Sequence, residues 1–205
     1  MNIQSVFTGP FEESCYLVWD EAGKTVILDP GHDADEINRI IEQHGLAVAA
    51  YVCTHGHADH INALAELHAL HPAPVAMHSN DLKWAFNFGI EPYYPVPAKP
   101  GVDQFELLET AKDWTFSGLR LQCIHTPGHT PGSCCILFPE AGYLISGDTL
   151  FKGSCGRTDL PGGDPRALKN SLNKLKQLPD EIRVFPGHGP DTTIGIERAT
   201  NFFMQ

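Results

Sequence analysis

Apolar positions along this chain fall into short blocks whose spacing alternates between two periods. Residues 3–7, 15–19 and 25–28 are brief runs rich in β-branched and aromatic side chains, separated by Gly9-Pro10 and Glu21-Ala22-Gly23. They predict three strands joined by tight turns. From Asp33 onward the period lengthens. Ile37, Ile40 and Ile41 share one helical face, Asp33 and Glu36 have the spacing of a capping box, and Gly45 stands where the helix should stop. Residues 47–53 form a continuous apolar run, which predicts a strand covered on both faces. Leu64, Leu67 and Leu70 mark a second helix, closed by His71-Pro72.

The second half repeats this order. Residues 105–108, 114–116, 119–124, 134–138 and 143–145 read as strands, and Leu119, Leu121 and Cys123 alternate with Arg120 and Gln122 as on a sheet with one buried face. Asp164 followed by Pro165 opens a helix with Leu168, Leu172 and Leu175 on one side. An interior strand over 182–185 and a short closing helix over 193–199 follow. Between the halves, residues 84–102 hold Pro92, Pro95, Pro97 and Pro100 among Trp84, Phe86, Phe88, Tyr93 and Tyr94. The prolines forbid a regular element there. Such a loop is either the wall of a binding site or a surface crossover pinned by its aromatics. Two strand-rich halves, each with its own helices, predict two packed sheets covered outside by helices, an α/β (α+β) arrangement. The chain of 205 residues suits a single domain over 1–205.

The chemistry is concentrated at the ends of these strands. His55, His57, Asp59 and His60 lie within six positions, directly after the apolar run ending at Cys53. Imidazole and carboxylate are the ligands a borderline divalent cation prefers. Packing is a poor explanation for such a cluster, because each group would need its own buried partner. His129, in Pro127-Gly128-His129, Asp148, in Gly147-Asp148-Thr149, and His188, in Pro186-Gly187-His188, also follow strand-like runs. Seven candidate ligands suffice for two sites of three, with one carboxylate between them. Asp29 ends another strand in the same way, either accepting a ligand imidazole N–H or bonding its local turn.

The formal net charge of −11 argues against a nucleic-acid or anionic-membrane surface, since both need basic residues. No apolar stretch approaches the ~18 residues of a membrane helix. The first residues lack the basic-then-apolar pattern of a secretory signal. The six cysteines, none in a C-x-x-C pair, lie mostly in apolar runs. They read as reduced core residues, so a cytoplasmic location is expected, with an organelle matrix permitted.

The segment Thr54-His55-Gly56-His57-Ala58-Asp59-His60, followed by His129, Asp148 and His188, resembles the metallo-β-lactamase superfamily. The likeness extends from Leu28-Asp29-Pro30-Gly31 to Pro186-Gly187-His188-Gly189. It implies a four-layer αββα sandwich with the metals at one edge. His55, His57 and His129 would take the first cation, Asp59, His60 and His188 the second, and Asp148 would bridge. Two divalent ions are implied, zinc foremost, with iron or manganese as alternatives. Residues 147–159 are similar to the glyoxalase II group of the short type, which lacks the helical domain that the longer enzymes use to hold glutathione. By that likeness Arg157 would bind substrate, although its guanidinium could instead pair with Asp159 or Asp164. The implied activity is hydrolysis of an acyl-glutathione thioester by a metal-activated water that Asp59 orients. Alternatives are a persulfide dioxygenase with one iron on His55, His129 and Asp148, or another metallohydrolase such as a lactonase.

Overall fold

A computed structural model describes residues 1–109 and 113–205. The first half contributes strands β1 (Asn2–Thr8), β2 (Glu13–Trp19), β3 (Lys24–Leu28), β4 (Ala47–Val52), β5 (Val75–Met77) and β6 (Glu106–Leu107), which form one sheet in that order. Its helices are α1 (Ala34–His44), α2 (Ala58–Ile61), α3 (Leu64–Leu70) and α4 (Ser79–Leu82). The second half contributes β7 (Asp113–Phe116), β8 (Leu119–His125), β9 (Cys134–Phe138) and β10 (Tyr143–Gly147). The small hairpin β11 (Leu150–Phe151) and β12 (Ser154–Cys155) and the helix α5 (Pro165–Leu175) come next. Strands β13 (Arg183–Pro186) and β14 (Thr192–Thr193) and the helix α6 (Ile194–Thr200) complete it. The second sheet runs β14-β13-β10-β9-β8-β7.

The side-chain alternation of each strand sorts the apolar residues into three layers of core. Val26 and Leu28 of β3 face inward and meet Leu121, Cys123, Ile136 and Phe185 of the other sheet. Ile27, on the opposite face of the same strand, packs with Ile37 and Ile41 of α1 and Leu64 and Leu67 of α3. On the far side, Leu144 and Val184 pack with Leu168, Leu172 and Leu175 of α5. The result is helix, sheet, sheet, helix: the four-layer αββα sandwich expected from the pattern. The central strands β3 and β4 are covered on both faces, which is why they read as unbroken apolar runs.

Strand direction positions the site. β3, β4, β5 and β6 run parallel, as do β10 and β13, while β1, β2 and β3 pair antiparallel in the first sheet, as do β7, β8, β9 and β10 and the β13–β14 pair in the second. The carboxyl ends of β3, β4, β10 and β13 carry Asp29, the 55–60 cluster, Asp148 and His188 respectively. Ligand sites in open parallel sheets form outside such ends.

Several local expectations change. Asp33 stands at the N-cap position of α1, but its side chain makes no capping bond. It sits in the left-handed region at φ 51°, and its carboxylate accepts from Gly9 N at 2.8 Å instead. Leu70 ends α3 at 54% exposure, off the core face. The short helices α2 and α4 carry no periodic signal in the sequence. Asp164 does cap α5, accepting from the backbone N–H of Arg166 and Ala167. All six cysteines are free, five of them buried. Among the described residues, no helix is long and apolar enough to cross a membrane.

Tyr51 shows how the helical layer is fixed to β4. Its hydroxyl lies 2.9 Å from the carbonyl of Leu67 and 3.0 Å from that of His71, serving the exposed last turn of α3 as donor. Tyr51→Phe should therefore lower unfolding free energy by about 1–2 kcal/mol in urea denaturation, the scale of a buried hydrogen bond. An unchanged midpoint and slope would show that this tie is dispensable.

Candidate metal centre

β3 ends in a strained carboxylate. Asp29 adopts φ 50°, a left-handed conformation that aspartate tolerates better than most residues. It is 1% exposed, and both oxygens are engaged. The Thr54 backbone N–H donates to Oδ1 at 2.6 Å, while the Thr54 hydroxyl, at 2.5 Å, and His60 Nδ1, at 3.0 Å, donate to Oδ2. This one side chain therefore sets the exit angle of β4 and the orientation of an imidazole on the turn that follows.

The other histidines are held in the same manner. His129 Nδ1 donates to the carbonyl of Arg157 at 2.8 Å, and His188 Nδ1 donates to that of Phe11 at 3.1 Å. His55 Nδ1 stands 3.1 Å from the Thr54 hydroxyl, whose own proton goes to Asp29. Each outward partner holds Nδ1, so Nε2 of His55, His60, His129 and His188 is the nitrogen turned toward the site. His57 is reversed and offers Nδ1. It lies 3.1 Å from His55 Nε2 and 2.9 Å from His129 Nε2.

These atoms form compact groups. His55, His57 and His129 make one triad, and Asp59, His60 and His188 make another. Asp148 lies between them: Oδ2 is 3.5 Å from His129 Nε2 and 3.8 Å from His188 Nε2, and Oδ1 is 3.4 Å from His60 Nε2. Asp59 Oδ2 stands 3.5 Å from His188 Nε2. Asp29, His55 and His60 are also close enough to be counted as a group. Its three hydrogen bonds already use the Asp29 oxygens, however, so orienting partner is the better description.

Gly187 makes the convergence possible. A Cβ there would sit 2.3 Å from Asp148 Oδ1 and 2.7 Å from His60 Cε1, so only glycine lets the His188 loop close. The loop is also pinned by Ser14 N donating to the Gly187 carbonyl and by the Tyr16 hydroxyl donating to that of Pro186.

Electrostatics favour a cation. Burial, with the neighbouring His60 and His57 rings, pushes His55 well below the ordinary imidazole range; burial and the His129 ring take His57 down to about 4. Both rings are neutral near neutral pH and keep their lone pairs. Burial alone would raise Asp148, but the charge of the facing His60 ring outweighs it and holds the carboxyl below its usual range. Asp59 follows the same balance. Two buried atoms in this space, His60 Nε2 and Asp148 Oδ1, have no hydrogen-bond partner. Buried polar atoms are seldom left so, and a divalent ion between them is the partner their chemistry fits.

Three residues here escaped the sequence reading. Thr54 relays Asp29 to His55. Glu13 is fully buried at the head of β2, accepts from the Thr8 hydroxyl at 2.7 Å, and lies 3.7 Å from His60 Nδ1. Burial pushes its carboxyl well above the ordinary range. The third, Asp81, bonds both histidine loops from outside. The Arg157 guanidinium forms two 2.7 Å bonds with Asp159, the pairing weighed beside substrate binding, whereas Asp164 is used as a helix cap. In the aromatic loop, Trp84 packs on the His57 ring at 5.6 Å, and Tyr93 and Tyr94 pack on Phe11 at 5.2 and 5.1 Å. The loop thus flanks the metal-capable cluster.

The family model of the metallo-beta-lactamase superfamily matches residues 8–188. The chain is 32% identical over 217 residues to the hydroxyacylglutathione hydrolase GloC of Haemophilus influenzae, covering 100% of this chain and 98% of that protein. Among solved structures, BLEG-1 B3 metallo-beta-lactamase superposes with a TM-score of 0.90 at 34% identity, over 100% of both chains. TTHA1623 in a di-iron-bound form gives 0.84 at 39% identity, covering 98% and 99%. With that match, those relatives and a fold of two sheets enclosing paired histidine-carboxylate groups, the chain belongs to the metallo-beta-lactamase superfamily and is a metal-dependent hydrolase.

Proposed function

We propose that the protein hydrolyses an acyl-glutathione thioester at two divalent cations. In this reading His55, His57 and His129 hold one ion, Asp59, His60 and His188 hold the other, and Asp148 bridges. The observation that carries the two-ion reading is the position of Asp148 between the triads, with Oδ2 near His129 of one and His188 of the other, and Oδ1 near His60 and without a hydrogen-bond partner. The thioester is suggested by the similarity to GloC, which spans the whole chain. Zinc suits the histidine-rich donor set, and the di-iron form of TTHA1623 makes iron the competing occupant.

Bound divalent ions would supply Lewis acidity, lowering the pKa of water from 15.7 to about 7 and polarising the acyl carbonyl. The residues themselves do the rest. Asp59, a carboxylate held low and 7% exposed, accepts a hydrogen bond from the attacking water and turns its lone pair toward the carbonyl. Asp29, Thr54, Arg157 O and Phe11 O keep the imidazoles from rotating as charge moves. The leaving thiolate needs no strong acid, because thiols ionise near ~8.5. Neither Ser154 nor Cys155 is required as a nucleophile.

Protein stripped by chelation and reconstituted with zinc should regain thioester hydrolysis, and elemental analysis should give two ions per chain. Presented with acyl-glutathione thioesters, lactones and β-lactams, it should prefer the thioesters. Equal or faster turnover of β-lactams would sink the thioester reading and favour the chemistry named for BLEG-1. One iron with oxygen uptake on glutathione persulfide would replace hydrolysis by a dioxygenase reaction. His57→Ala should lower turnover by roughly 100-fold or more, the scale of losing one stabilising group, with circular dichroism unchanged. Arg157→Ala should raise KM by roughly tenfold for a glutathione thioester, the scale of one charge-assisted bond. It should leave KM for a thioester of an uncharged thiol unmoved. Parallel shifts in both would show that Arg157 does not contact the thiol portion.

A further inference from the structure

One carboxylate away from the donor set is bonded to both histidine loops that supply the three-imidazole triad. Asp81 lies on the four-residue helix α4 and is fully buried. Its Oδ2 accepts from the backbone N–H of Gly56 at 2.9 Å and from the Thr130 hydroxyl at 2.6 Å. Its Oδ1 accepts from the backbone N–H of Gly132 at 2.6 Å. Gly56 is the residue between His55 and His57, and Thr130 directly follows His129. Asp81 is thus one residue removed from every member of that triad, although it comes from neither loop.

The two loops belong to different sheets, one leaving β4 and the other joining β8 to β9. A single backbone bond also joins them, Cys134 N donating to the Thr54 carbonyl at 2.8 Å. It lies on the near side of His55 and does not reach the His55–His57 turn itself. α4 supplies the missing brace. The His78 ring at its start stacks on His125 at 4.1 Å and 9° between planes. His125 Nε2 donates to the Pro131 carbonyl at 3.0 Å, and the Asn80 side chain reaches the same carbonyl at 3.4 Å. A Cβ at position 132 would stand 2.6 Å from the Asp81 carboxyl carbon, so the loop is docked directly on the acid.

We infer that Asp81 is a positioning residue for the three-histidine cation site, fixing the separation of the His55–His57 turn from His129. This rests on the proposed assignment of those histidines to one ion. Orienting groups one bond beyond a ligand commonly alter cation affinity 10- to 100-fold, and here one group acts on two loops at once. An amide in its place keeps the volume but turns an NH2 toward a backbone N–H, so at least one of the three bonds is lost.

The test is cation affinity, read without turnover. Metal-free wild type, Asp81→Asn and Asp81→Ala are titrated with zinc against a chromophoric chelator, and with cobalt followed by its visible spectrum. Wild type should take two ions. In the variants one ion should weaken by roughly 10- to 100-fold while the other keeps its constant. Thr130→Val, which removes one of the three donors, should give a smaller loss at the same site, and it carries the test together with Asp81→Asn where Asp81→Ala does not fold. Two ions bound with wild-type constants in variants whose thermal midpoint has fallen would make Asp81 merely structural and overturn the inference. Equal weakening of both ions would overturn it as well. A wild type that binds no second ion would instead defeat the two-ion assignment beneath it.

Discussion

A buried carboxylate at the end of a parallel strand is the constraint on which the rest of the site depends. Asp29 exists in that position only because β3 and β4 run side by side with both faces covered, so the chain must turn where the sheet stops. An unpaired charge there would be costly, and Asp29 is satisfied by Thr54 and His60. Those same bonds choose the ring face that His60 presents and, through Thr54, the tautomer of His55. Sheet register thereby becomes imidazole orientation without any contact to a substrate.

Charge makes the arrangement incomplete as protein alone. Asp59, Asp148, Asp29 and Glu13 crowd around His60, and that ring, despite its burial, is driven well above the ordinary imidazole range by Asp148 and Asp59. Without a cation, the His60 ring and, toward solvent, the His188 ring are left to balance several acids, and His60 Nε2 still lacks a bonded partner. A divalent ion would relieve both problems by displacing the Nε2 proton and drawing the freed lone pair and the carboxylates together. The pull of the protein toward cations is therefore a property of its folded electrostatics, consistent with an acidic chain that needs no basic surface.

The layers and the donor types were legible in the sequence because both are local signals. Unbroken apolar runs report strands covered twice, and three-residue spacing of leucines reports helices. Histidines crowded after such a run have few structural uses. What stayed hidden comes from long-range pairing. Asp81 meets Gly132 across 51 residues, and Glu13 meets the His60 turn through a strand paired elsewhere. Nothing near either residue marks it as more than a polar side chain. The Asp33 capping box failed for a related reason. Its carboxylate is claimed by Gly9 on a different hairpin, and the tertiary bond displaces the local one. Helices of four residues such as α2 and α4 are too short for any period to show.

The bidentate Arg157–Asp159 pair does not remove Arg157 from substrate recognition. Both groups are exposed, with 62% and 67% of their side chains accessible. Exposed ion pairs contribute little to stability, so exchanging Asp159 for a substrate carboxylate would carry a small penalty. The backbone of Arg157 is meanwhile fixed by the hydrogen bond its carbonyl receives from His129. A guanidinium on a long flexible stem, rooted one bond from the triad, can thus be held by its neighbour at rest and released toward an anion at the mouth. A buried pair would have locked it. The surface position of this pair is what leaves the guanidinium free to exchange its partner.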